Sequence, residues 1–122
     1  SIPDFGVSIP DGSLFDGGPA TTLTVDNIGL TDAVITWFSP SGGNSSLVCS
    51  PNTSCPVMVP GGTAALVSSE APDPTAVSSY AVTPSTAGRC IDRPAPGTMV
   101  RTIFCSAAVS GPVTIELGWT AP

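Results

Sequence analysis

The chain has 122 residues, 41% of them hydrophobic, which suits one domain with a buried core. Three arginines against nine acids give a net charge of −6 with no histidine, so nucleic acid is excluded as an expected partner, because phosphate neutralisation needs a basic surface. Fourteen Pro and 13 Gly spread along the whole length exclude long helices.

Residues 1–18 read SIPDFGVSIPDGSLFDGG, with SIPD at Ser1–Asp4 and again at Ser8–Asp11. Phe5, Val7 and Ile9 alternate with small residues, as in a short strand. The PDGSLFDGGP that follows is too long for a tight hairpin. Ile2, Phe5, Val7 and Ile9 are therefore expected to form an edge strand of their own sandwich, or a self-assembly strand added to a neighbouring copy. Asp4, Asp11 and Asp16 are spaced more widely than the acids of a calcium loop; they read as turn residues, and no metal is expected.

In TTLTVDN, Leu23 and Val25 point inward between Thr22, Thr24 and Asp26, the pattern of a half-solvated antiparallel strand. AVITWF is apolar on both faces and is expected to be central, with Trp37 inward beside Ala33 and Ile35, or else Phe38 beside Val34. SLVC, PVMVP, TAALVSS and VSSYAVT are weaker strand signals. Asn44-Ser45-Ser46 and Asn52-Thr53-Ser54 are sequons at turn positions, so Asn44 and Asn52 are candidate glycosylation sites if the protein is a secreted eukaryotic one.

Cys49, Cys55, Cys90 and Cys105 are even in number and lack the close spacing of a zinc knuckle. Two disulfides are expected. Cys49–Cys55 with Cys90–Cys105 is favoured among the three pairings, because SPNTS between the first two is turn chemistry. Disulfides persist in oxidising compartments, which points to a secreted, extracellular or cell-surface protein. Any secretion signal is expected to have been removed, since no basic segment precedes an apolar run.

Arg89, Arg93 and Arg101 cluster around the second cysteine pair, with Asp92 among them. The preferred reading is an Arg–Asp pair pinning an 88–97 loop to the next strand; an anion site or an intersubunit contact is the alternative. TMVRTIFCSAAV is expected to be a long, largely covered strand with Met99, Ile103, Cys105, Ala107 and Val109 on one side and Val100 and Phe104 on the other. PVTIELGWT sets Val113, Ile115, Leu117 and Trp119 on one face.

These segments predict an all-β, antiparallel β-sandwich, immunoglobulin-like or jelly-roll-like, of about seven or eight strands in a single domain. The apolar runs are shorter than the roughly 20 residues that span a bilayer, so no membrane insertion is expected. The stretch SIPDGS…TTLTVDNIGLTDAVITWFSPSGGNSSLV resembles the opening of the β-sandwich P-domains attached to subtilisin-like proteases, over about a third of the chain. The resemblance implies a sandwich and no more, because that family's histidine-containing and Gly-Asp-Leu motifs and its closing Gly-x-Trp-x-Leu strand are missing.

Nothing in the chain activates a nucleophile, since histidine and lysine are absent and no G-x-S-x-G turn occurs. Most of the acids sit beside Gly or Pro, as turn formers do. No enzyme and no cofactor are expected. The leading expectation is a structural or interaction protein that associates with copies of itself in a fibre, pilus-like filament or virion appendage. The alternative is a monomeric module that binds a glycan or an apolar ligand, or inhibits proteases through a disulfide-braced loop.

Overall fold

The structure is a computed structural model and describes residues 19–95 and 97–122. The expected N-terminal strand, with Ile2, Phe5, Val7 and Ile9, lies outside the described residues. Nine strands follow among those described: β1 (Ala20–Asn27), β2 (Ala33–Phe38), β3 (Asn44–Cys49), β4 (Thr53–Pro60), β5 (Thr63–Glu70), β6 (Val77–Thr83), β7 (Gly88–Pro94), β8 (Arg101–Val109) and β9 (Val113–Thr120). They form a four-stranded sheet in the order β4-β1-β9-β6 and a five-stranded sheet in the order β3-β2-β5-β8-β7, stacked as a β-sandwich. Neighbours are antiparallel except β1 and β9, which run parallel with Leu23 beside Val113.

Period-two alternation fills the space between the sheets. β9 contributes Val113, Ile115, Leu117 and Trp119, β1 contributes Leu23 and Val25, and β8 contributes Ile103, Cys105, Ala107 and Val109, all buried. On β2 the inward face is Ala33 and Ile35, with Trp37 packed against the same cluster. Trp119 spans the sandwich, its Nε1 donating to the Ser69 carbonyl on the facing sheet at 2.8 Å. Asn27 is buried at the start of the β1–β2 connection, where its Nδ2 donates to the carbonyls of Thr31 (2.8 Å) and Cys49 (2.9 Å). Its Oδ1 accepts from the Gly29 amide at 3.1 Å.

Beyond Asn27 the chain continues against β9, with the Ile28 and Leu30 amides donating to the Leu117 and Trp119 carbonyls, each at 2.9 Å. The two backbones come so close that a Cβ on Gly118 would stand 2.4 Å from the Gly29 amide nitrogen. Both disulfides form in the favoured pairing. Cys49–Cys55 joins the end of β3 to β4 across the two sheets, whereas Cys90 and Cys105 are direct cross-strand partners on β7 and β8.

Three expectations are corrected. The 88–97 segment is not simply a loop: Gly88–Pro94 is a full edge strand, one of nine among the described residues. Glycine, charge and proline disguise β7, while its ladder with β8 and the disulfide define it. The next strand starts at Arg101 instead of Thr98, because the Ala95 and Val100 backbones close a turn at 3.0 Å and leave Met99 92% exposed. Finally, the second faces of AVITWF and TMVRTIFCSAAV are not covered, since no layer lies over the outside of the five-stranded sheet among the described residues.

Candidate functional site

That uncovered outer face is the candidate site. Its side chains follow from the register: Val48, Val34, Ser68, Phe104 and Ile91 stand in one row across β3, β2, β5, β8 and β7. Ser46, Thr36, Leu66, Ser106 and Arg89 form the next row. Phe38, Ile91, Val34, Leu66 and Val48 are exposed at 40%, 41%, 42%, 49% and 55%. These exposed apolar side chains share the face with Ser46, Thr36, Ser68 and Ser106, and an exposed apolar patch is where an interaction site is sought.

At the β7 end the surface deepens into a groove of about 410 Å³, floored by Val34, Leu66, Ile91 and Phe104 and edged by Arg89 and Arg93. The Arg93 guanidinium lies over the Phe104 ring, 5.5 Å from its centroid. Neither Arg89 nor Arg93 forms an ion pair with another described residue. An apolar floor beside two guanidiniums can hold an apolar group that carries a carboxylate.

The three clustered arginines are therefore split by the pleat. Arg101 faces the other way, where its Nη2 pairs with Asp92 Oδ2 at 2.5 Å. Its Nη1 donates to the Pro74 and Ala76 carbonyls at 3.1 and 2.8 Å, and the guanidinium sits 5.0 Å from the Trp119 ring centroid. Ser78 adds a hydrogen bond to the same Asp92 oxygen at 2.9 Å. With its donors taken, Arg101 is a structural clamp between β7, β8 and the Pro72–Ala76 turn. The expected Arg–Asp pair exists, and it binds a strand instead of a loop.

The edges differ in protection. Pro56 and Pro60 interrupt β4, and β7 carries Arg89, Asp92, Arg93 and Pro94, the usual devices against edge pairing. β3 and β6 hold no charge and no proline. Every β3 residue from Asn44 to Val48 is exposed, and Leu47 remains 42% exposed although its partner Ile35 is fully buried. Sequence reasoning missed Val34, Leu66 and Ile91 as surface residues; the available signal was the apolar character of both faces of AVITWF.

The sequon residues Asn44 and Asn52 are both exposed, Asn44 at the start of β3 and Asn52 in the β3–β4 turn with φ 57°. Asp4, Asp11 and Asp16 lie outside the described residues. Among those described, no three His, Cys, Asp or Glu side chains converge as a metal site would require. The chain matches no protein-family model, no curated protein and no solved structure.

Proposed function

We propose that the chain is a non-enzymatic, self-associating β-sandwich subunit of an extracellular assembly such as a surface fibre, pilus-like filament or virion appendage. The observation that carries this reading is β3: an edge strand, exposed from Asn44 to Val48, uncharged, free of proline and bearing Leu47 and Val48. Such an edge offers its unpaired backbone groups to another strand. β6, the second unprotected edge, belongs to the other sheet. Pairing β3 of one copy with β6 of the next is a heterologous contact, and it propagates as a filament when the rotation does not close.

Two disulfides fit an oxidising compartment, and among the described residues no helix is long and apolar enough to cross a membrane. The test is sedimentation velocity over a range of concentrations. The expected result is a mass that rises with concentration, and a Leu47→Lys/Val48→Lys variant that stays monomeric while keeping its melting transition. A parent chain that is monomeric throughout overturns the proposal.

A second reading has its own support. The groove beside Arg89 and Arg93 suits a monomeric module for an apolar carboxylate ligand. Saturable binding of dodecanoate by a monomeric chain, lost in Arg89→Glu/Arg93→Glu, favours this reading over self-association.

A further inference from the structure

We infer that residues 1–18 of the chain are the occupant of the groove edged by Arg89 and Arg93. The groove demands an apolar stretch accompanied by negative charge, for it combines Val34, Leu66, Ile91 and Phe104 with both of the arginines that no described acid engages. In a chain of net charge −6, those two cations are a scarce resource placed together on one surface. Residues 1–18 carry the complementary chemistry: Phe5, Val7 and Ile9 in one apolar run, Asp4 before it, Asp11 and Asp16 after it, and no cation.

Three of the six acids among the described residues have local side-chain partners. Ser54 donates to Asp26, Thr75 to Asp73, and Arg101 to Asp92.

Dimensions agree as well. The groove runs from β2 to β7, three strand spacings or about 14 Å, and the run from Phe5 to Ile9 covers about 17 Å when extended. The described chain begins at Pro19, whose carbonyl accepts from Gly61 at 3.1 Å, and Gly62 in turn donates to Val109 at 3.0 Å. This is the end of the sandwich where Thr63 meets Val109, and Leu66 lies about 10 Å further along β5. Eighteen residues reach as far as about 60 Å, so the attachment point allows the groove to be reached. The inference concerns what fills the groove and goes beyond the self-association reading, which rests on β3.

The test places the photoreactive residue p-benzoylphenylalanine at Phe5 in the full chain and maps the cross-links by mass spectrometry, in equal mixtures of light and 15N-labelled protein. Cross-links to the Leu66, Ile91 or Phe104 peptides support the inference, as does a yield that falls about tenfold in Arg89→Glu/Arg93→Glu and recovers on adding Asp4→Arg/Asp11→Arg. Retained melting transitions establish that the variants fold. Cross-links that land on β3 or β6, or yields indifferent to the arginines, overturn it. A monomer with the expected cross-link, light to light only, removes the self-association reading and leaves this inference standing; concentration-dependent mass without the cross-link does the reverse.

Discussion

Asn27 shows how a single polar side chain can be indispensable inside an apolar sandwich. It is 1% exposed and satisfies two carbonyls and one amide, holding the β1–β2 connection against the end of β3. Asn27→Ala leaves those groups buried without partners, and we expect a loss of about 3 kcal/mol by urea denaturation. Gly118 is constrained by steric contact instead: Gly118→Ala would drive Cβ into the Gly29 backbone, where neither β9 nor the Ile28–Leu30 segment can retreat without breaking its hydrogen bonds. Asp73 supplies a titration. The Thr75 hydroxyl at 2.7 Å and the Thr75 amide at 2.8 Å hold its carboxyl below the ordinary carboxylate value. A lowered folded pKa means the contribution is present above the unfolded value of about 3.9 and is lost as pH falls through the folded one. Carboxyl NMR should give Asp73 a lower midpoint in the parent chain than in Thr75→Val; equal midpoints would remove the hydroxyl as the cause.

Among the elements, β7 depends most on one covalent link. It pairs only with β8 among the described residues, and its own sequence, GRCIDRP, has little strand preference. Cys90–Cys105 and the Arg101–Asp92 pair fasten it. Cys90→Ala/Cys105→Ala opens a link between residues 15 apart in sequence, for which we expect about 3 kcal/mol of destabilisation. Hydrogen exchange should quicken first at Gly88–Pro94 and leave β1, β5 and β9 protected; uniform quickening would mean that β7 is no separate unit. Because Arg89, Ile91 and Arg93 lie on this strand, loosening it also dismantles one wall of the groove.

For the whole molecule, low charge is the governing property. Charged residues are 10% of the chain, and a net charge of −6 is the main long-range repulsion between copies. That repulsion vanishes near the sequence pI of about 4.1. Light scattering should therefore show association strengthening as pH falls from 7 toward 4, and the Leu47→Lys/Val48→Lys variant should resist the change by adding charge at the edge itself. Association that weakens on acidification would argue that carboxylate contacts hold the copies together.

Composition, the period-two runs and four evenly counted cysteines determined the all-β class and the inward faces of β1 and β9 and favoured the disulfide pairing that formed, because these depend on local geometry and short loops. Only the tertiary structure decided the rest. It showed that β7 exists, since a strand of glycine, arginine and proline is stabilised by its neighbour and not by its own propensity. It turned Arg101 inward to Asp92 while Arg89 and Arg93 went outward, a division set by ladder register that no spacing of residues along the chain reveals. And it left the second apolar face of β2 open, because whether such a face is covered is decided by how many layers the chain builds, which is a property of the assembled sheets.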